Sequence, residues 1–119
     1  MTLFRPNPSL GVPIYLQLME QVKHAIETGA LKPGEQLPSI RPLAEELVIN
    51  PNTVAKAYRE LQREGLVDTL RGEGLIVRAG VREGLMKRER TKFMKEEWPA
   101  LRARLARMEV DLKALVASA

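Results

Sequence analysis

Apolar residues recur at spacings of three and four in three short segments of the first 65 residues, the periodicity of amphipathic helices. The first stripe predicts a helix over about residues 13–28, which Gly29 ends at its C′ position. The second predicts a helix over about residues 40–47, with Ser39 as its N-cap. The third begins after an Asn50 cap with Pro51 in first position, and Gly65 ends it.

The second and third predicted helices are separated by only about four residues, so they must cross steeply. The third helix is apolar on one side, through Val54, Ala57, Tyr58 and Leu61, and polar on the other. A steep corner with a polar second helix predicts a helix-turn-helix.

After Gly65 the pattern changes to short runs rich in β-forming residues, over residues 66–70 and 75–78. They flank Arg71-Gly72-Glu73-Gly74, which predicts a hairpin turn. The expected fold is mainly α with a small β hairpin, a winged helix-turn-helix over residues 13–78. Residues 1–12 hold two prolines and a glycine without periodicity, and we expect a flexible arm there.

The last third of the chain, residues 81–119, carries a second kind of apolar pattern. Its apolar positions alternate four and three apart, as in the a/d seam of a coiled coil. They are Met94, Trp98, Leu101, Leu105, Met108, Leu112 and Leu115. Pro99 interrupts this stretch, so we expect helices over about 81–97 and 99–116, or one helix kinked at Pro99. The pattern predicts a helical tail that forms a homodimer through these seven residues.

Composition excludes several classes of protein. The 119 residues include no cysteine, and His24 is the only histidine, so disulfide and metal sites are not expected. No apolar run approaches the ~20 residues of a membrane span, and no signal-peptide pattern begins the chain, so we expect a cytoplasmic protein without a membrane partner. Nucleophile-elbow, P-loop and Rossmann motifs are absent, so we expect neither an enzyme nor a cofactor.

The formal net charge is +4, but its distribution does not locate a DNA-binding surface. Residues 1–78 contain nine Lys or Arg and nine Asp or Glu, so the whole excess lies in residues 79–119. The local placement of charges must therefore identify any contact with nucleic acid.

One long segment resembles the GntR family of bacterial transcription regulators, and specifically its short YtrA-like branch. The segment reads PIYLQLMEQVKHAIETGALKPGEQLPSIRPLAEELVINPNTVAKAYRELQREGLVDTLRGEGLIV. The resemblance covers about residues 12–78 and includes the PGEQLPS, NPNTV and REGL motifs in order. It implies a homodimer that binds a palindromic operator on double-stranded DNA, often as a repressor.

The resemblance also implies a set of DNA contacts. Ser39 and Arg41 would reach the backbone and bases from the start of the second helix. The start of the third helix would enter the major groove with Asn50, Pro51, Asn52, Thr53 and Lys56. Gly72 and Gly74 of the wing would approach the minor groove, and Arg71 would supply the positive charge of the wing.

This chain departs from the family at three positions. Pro51 and Ala55 stand where arginines are common, so base recognition must depend on fewer side chains. Glu73 stands where a basic residue is common, and its carboxylate would repel phosphate. The same residues also have structural interpretations: Gly72 and Gly74 as turn residues, Asn52 and Thr53 as first-turn residues, and Arg41 as a solvated side chain.

The function expected from the sequence is a sequence-specific, DNA-binding transcriptional regulator, a dimeric repressor that blocks a promoter. An apolar space between the tail and the winged domain is a candidate site for a small-molecule effector, whose chemistry no residue pattern identifies. The alternative is a winged-helix module that binds proteins and not DNA. The balanced charge of residues 1–78 favours that alternative, whereas the polar stretch Asn50 to Thr53 favours DNA.

Overall fold

The computed structural model describes residues 3–70 and 74–119. The elements in chain order are a 3₁₀ turn (Pro8–Leu10), α1 (Ile14–Thr28), α2 (Ile40–Leu47), α3 (Pro51–Arg63), β1 (Val67–Leu70), β2 (Gly74–Val77), α4 (Val81–Lys92), a π-helical turn (Phe93–Glu97), α5 (Trp98–Arg107) and α6 (Leu112–Ser118). They form two compact units, one ending at Leu85 and one beginning at Met86. The predicted fold class, mainly α with a small β hairpin, is confirmed.

The core of the first unit lies between α1, α3 and the hairpin. Helices α1 and α2 both pack against α3, and β1 also contacts α3. The largest fully buried side chains are Leu18, Val22, Ile26, Val54, Leu61, Val67 and Val77. Each such burial contributes ~1.5–3 kcal/mol, so α3 is held on its apolar side while its other side remains free.

The corner between α2 and α3 is a tight turn around Val48. Val48 has φ 55° and ψ 51°, a left-handed conformation that β-branched residues rarely adopt. The next N–H group, that of Ile49, donates to the Ala44 carbonyl at 3.0 Å. Asn50 then caps α3, as predicted, by accepting a hydrogen bond from the Asn52 N–H at 2.8 Å. Ser39 occupies the predicted N-cap position of α2, but its side chain makes no capping hydrogen bond.

The two strands pair antiparallel, with Val67 opposite Val77 and Leu70 opposite Gly74. The segment before α2 extends this hairpin, because the Leu37 N–H donates to the Leu75 carbonyl at 2.8 Å and the Val77 N–H donates to the Glu35 carbonyl at 2.9 Å. The predicted turn at Arg71, Gly72 and Glu73 lies outside the described residues.

The structure corrects the prediction of a flexible arm over residues 1–12, because the described part of this segment is packed and hydrogen-bonded. The Phe4 side chain is 2% exposed and belongs to the core. The Asn7 N–H donates to Gln17 Oε1 at 2.7 Å, and Gln17 Nε2 donates back to the Asn7 carbonyl at 2.9 Å. Gln21 makes the same pair of bonds with Arg5. Gln17 and Gln21, one turn apart on α1, therefore satisfy the backbone N–H and C=O groups of Asn7 and Arg5.

The second unit also differs from its prediction. A π-helical turn precedes α5, and the Trp98 N–H donates to the Phe93 carbonyl, five residues back. This wider turn accommodates Pro99, which has no N–H to donate and falls in the first turn of α5. The predicted helix over residues 99–116 is wrong, because α5 ends at Arg107 and Glu109 has φ 56°. The Asp111 side chain then caps α6 by accepting from the Lys113 N–H at 3.0 Å.

The strain at Val48 gives a prediction about stability. The side chain is 88% exposed, so replacing it removes little buried apolar surface. Val48→Asn should raise the free energy of unfolding by about 1 kcal/mol, because asparagine tolerates the left-handed conformation that costs other residues roughly 1–2 kcal/mol. Urea unfolding of both proteins at one protein concentration measures the difference.

Gly29→Ala is the matched control, because Gly29 is also left-handed, with φ 84°, and no atom lies within 4 Å of an added Cβ. It should lower the free energy of unfolding, since the added Cβ makes no stabilising contact and strains the left-handed backbone. A Val48→Asn protein less stable than wild type would contradict the conformation of this corner.

Candidate nucleic-acid interface

The first turn of α3 presents polar side chains on the side opposite the core. Asn50, Pro51 and Asn52 are exposed, whereas Val54 and Ala57 are buried one turn further on. The side-chain oxygen Oδ1 of Asn50 accepts the capping hydrogen bond, which holds this amide against the backbone of its own helix, while its NH₂ group can still donate. Bidentate pairing with adenine needs both an amide donor and an amide acceptor. Asn52, whose side-chain amide is not used in a cap, is therefore better suited to that pairing than Asn50.

Lys56 lies next to this turn and contacts α1. Its Nζ is 4.1 Å from the centroid of the Tyr15 ring, a cation–π geometry. Tyr15, Asn52, Thr53 and Lys56 line a depression of about 600 Å³, which residues Pro13, Ile14 and Asn50 complete. Thr53 is half-buried, and its N–H donates to the Asn50 carbonyl at 2.9 Å. Sequence reasoning missed Tyr15, since it is far from Lys56 in the chain and falls within the apolar stripe of α1.

The second polar corner is at the start of α2. Ser39 and Arg41 are exposed, and the Ser39 hydroxyl is not used in a cap. The Tyr58 hydroxyl of α3 donates a hydrogen bond to the Pro38 carbonyl at 2.7 Å, which fixes this corner relative to α3. Burial raises the pKa of the Tyr58 phenol above its usual range, so the hydroxyl remains a donor at every physiological pH.

The wing begins beside this corner. Gly74 lines a cavity of about 460 Å³ together with Ser39, Arg41 and Tyr58. Its φ is 70°, and a Cβ added there would be 3.3 Å from Gln36 Nε2, so both conformation and space favour glycine. Gln36, which sequence reasoning also missed, pairs with Ile76 at the sheet edge. The other predicted wing residues, Arg71 and Gly72, lie outside the described residues.

Ion pairs account for several basic side chains of the first unit. Arg78 donates from Nε and Nη2 to the Asp68 carboxylate across the hairpin, and this pairing holds the pKa of Asp68 below its usual range. Lys23 pairs with Glu64 at 2.9 Å. Within residues 3–70 and 74–119, no ion pair engages Arg41 or Lys56. Those two cations therefore remain available on the surface formed by α2 and α3.

The predicted interface residues of the tail lie on several elements of the second unit. Met94 is in the π-helical turn, Met108 is in the break after α5, and Leu112 and Leu115 are on α6. Trp98, Leu101 and Leu105 are on α5. The rings of Phe93 and Trp98 are 6.4 Å apart and tilted by 34°. Trp98 and Leu105 are half-buried, and the other five residues are exposed, so a large apolar surface faces solvent.

Other kinds of site find little support in the part of the chain that the structure describes. No group of three or more His, Asp or Glu side chains is placed there to hold a metal ion. Nor does that part contain a helix with the length and apolar character needed to cross a bilayer.

Comparisons with known proteins point to one family of transcription regulators. The family model for bacterial regulatory proteins of the gntR family matches residues 14–77. The HTH-type transcriptional repressor YtrA of Bacillus subtilis (strain 168) is 43% identical over 91 residues, which are 76% of this chain and 69% of YtrA. A crystal structure of a transcriptional regulator from Oenococcus oeni has a TM-score of 0.73 at 30% identity and covers 94% of each chain. The AraR DNA-binding domain, solved in complex with operator ORX1, has a TM-score of 0.53 at 26% identity over 62% of this chain and 89% of that one.

The family match spans the three helices and both strands of the first unit. The likeness to the Oenococcus oeni regulator covers nearly the whole chain, including the helical second unit. The chain therefore belongs to the GntR family, in its YtrA-like branch, and is a transcription regulator with a DNA-binding winged helix.

Proposed function

We propose that this protein is a homodimeric repressor that binds a palindromic operator through the surface formed by α2, α3 and the wing. The observation that carries the proposal is the first turn of α3, where exposed polar side chains stand on a helix whose other side is locked in the core. AraR, a fold relative of this chain, was solved with an operator bound. A dimer with two such surfaces would match the two half-sites of a palindrome.

Each residue of this surface has a role that fits its chemistry. Asn52 pairs with adenine in the major groove, and Thr53 contacts a thymine methyl or a phosphate. Asn50 donates from its free NH₂ group, and Pro51 brings the backbone of the helix start close to the duplex. Ser39 and Arg41 bind the DNA backbone and an adjacent base, and Lys56 pairs with a phosphate. The wing approaches the minor groove through Gly74, with Gly72 and Arg71 assigned to the same contact from the sequence.

The charges of the first unit support this assignment in spite of their overall balance. Arg78 and Lys23 are paired with carboxylates, whereas Arg41 and Lys56 have no such partner among the described residues. Two unpaired positive charges therefore lie next to the polar turn of α3. A local cluster of this kind is sufficient to orient a duplex, since phosphate contacts set the register and a few base contacts set the sequence.

The tail supports the dimer. Met94, Leu101, Met108, Leu112 and Leu115 are between 40% and 56% exposed, which is unusual for so many large apolar side chains in so short a segment. We assign them, with Trp98 and Leu105, to the interface between two protomers. The tail would set the spacing of the two DNA-binding domains, so a small-molecule effector that changed its bend would change operator affinity.

The repressor would act by occlusion, because a dimer that holds both half-sites denies the promoter to RNA polymerase. Such a regulator binds chromosomal DNA, so we assign the protein to the cytoplasm. The mechanism needs no catalysis and no cofactor. The rival function, a winged helix that binds only proteins, is favoured by the balanced charge of residues 1–78 and differs in its response to salt.

The recognition surface is tested by selecting binding sites from a random duplex library with wild type, Asn52→Ala and Lys56→Ala, and then measuring affinities at several salt concentrations. Wild type should select half-sites with A/T core positions. Asn52→Ala should lose ~1–3 kcal/mol of discrimination at one base pair. Lys56→Ala should weaken all sequences nearly equally and flatten the salt slope by about one unit per half-site.

Arg63→Ala is the control for charge, since Arg63 is an exposed cation at the far end of α3, paired with Glu60 at 3.5 Å. It should change neither the selected sequence nor the affinity substantially. Wild-type binding that is weak and independent of salt would favour the protein-binding function. An Asn52→Ala protein that selects the same site with the same stringency would remove Asn52 from the recognition surface.

The dimer is tested on the full chain by light scattering of Leu101→Glu and Leu115→Glu at micromolar concentration. Wild type should have the mass of a dimer, and each variant should shift towards the monomer because a buried, unpaired carboxylate opposes association. Leu10→Glu is the control, since Leu10 is an apolar side chain of the first unit that is 61% exposed. A monomeric wild type, or variants that stay dimeric, would contradict the assigned interface.

A further inference from the structure

Tyr15 is the one aromatic residue of the first unit whose ring meets a cation among the described residues. It is the second residue of α1 and is half-buried, packed against the core cluster. Lys56 is exposed, and its Nζ lies 4.1 Å from the ring centroid. The core fixes the ring, whereas the lysine side chain projects from the surface. The contact therefore restrains the lysine more than the tyrosine.

The contact leaves the ammonium group free to bind a second partner. A cation over an aromatic face is attracted by the negative face of the ring and does not need all its N–H groups for that attraction. A salt bridge would instead place a carboxylate on the ammonium, in competition with phosphate. Among the described residues, no carboxylate pairs with Lys56.

The position of this pair also matters. Tyr15 and Lys56 line the same depression as Asn52 and Thr53, on the first turns of α3. An exposed lysine normally samples many rotamers, and ordering it upon binding costs conformational entropy. A ring that already selects a subset of these rotamers lowers that cost, which is the effect of preorganisation.

We propose that Tyr15 is a positioning residue for DNA binding, whose ring holds the Lys56 ammonium beside the first turn of α3, where it pairs with a phosphate. The proposal rests on the DNA-binding surface assigned above, and it adds α1 to the elements that build that surface. The operative group is the aromatic face of Tyr15, and its hydroxyl is dispensable for this role.

Two substitutions of Tyr15 separate the ring from the hydroxyl. Tyr15→Phe keeps the ring, and Tyr15→Leu keeps an apolar side chain against the core but removes the aromatic face. Tyr15→Phe should bind the selected duplex like wild type. Tyr15→Leu should bind about two- to fivefold more weakly, the loss expected for an exposed cation–π contact. In the Lys56→Ala background, Tyr15→Leu should have no further effect, which a general structural role would not produce.

A measurement without DNA tests the pair itself. In proton NMR of the full chain, the ε-methylene signals of Lys56 should be shifted upfield by the ring current in wild type and Tyr15→Phe, and this shift should disappear in Tyr15→Leu. Thermal unfolding of each variant checks that the fold is retained.

Three results would overturn the proposal. Tyr15→Leu could bind the duplex as tightly as wild type or more tightly, which would mean that the ring competes with phosphate. Tyr15→Phe could lose as much affinity as Tyr15→Leu, which would identify the hydroxyl as the contact. The effect of Tyr15→Leu could persist in full without Lys56. A wild type that bound no duplex at all would overturn the proposed function too, and the ring-current shift would then mark only a structural contact.

Discussion

The hydrogen bond from the Tyr58 hydroxyl to the Pro38 carbonyl, 2.7 Å long, joins the three segments on which the candidate interface depends. Tyr58 is on α3, and its side chain is 4% exposed. Pro38 directly precedes the corner at Ser39, and its other neighbour, Leu37, is hydrogen-bonded to β2. One part-buried contact thus sets the start of α2 and the edge of the wing relative to α3. Its loss would leave a part-buried carbonyl without its partner, which costs at most about 1–3 kcal/mol.

The placement of charges explains how a domain of balanced charge presents a surface suited to DNA. The carboxylates Asp68 and Glu64 pair with Arg78 and Lys23 away from the first turn of α3. Arg41 and Lys56 flank that turn, and neither has a carboxylate partner among the described residues. The arrangement of charge, and not its total, distinguishes this surface, so net charge alone was a poor guide to function.

The sequence predicted the parts of the fold that local chemistry determines. The bounds of α2 and the start of α3 follow from a short apolar period and from the Asn50 cap, and the structure confirms both. It did not predict the packing of Phe4 or the pairing of Gln17 with Asn7, because these contacts join segments without a shared local pattern. The break at Glu109 was missed for another reason: the apolar spacing continues through it, whereas the backbone does not. In the candidate site, sequence motifs identified the polar residues of α2 and α3. The contact of Tyr15 with Lys56 could be recognised only from the folded structure.

The central claim is that operator DNA lies on the surface formed by the start of α2, the first turns of α3 and the wing. The most direct test is a titration of the full chain, labelled with ¹⁵N, with a duplex that it selects, followed through backbone amide signals. We expect the changes to concentrate at residues 39–41, 50–56 and at Gly74, while the exposed residues His24 and Thr28 on α1 keep their signals. Changes at His24 and Thr28, with none in the first turn of α3, would contradict the account.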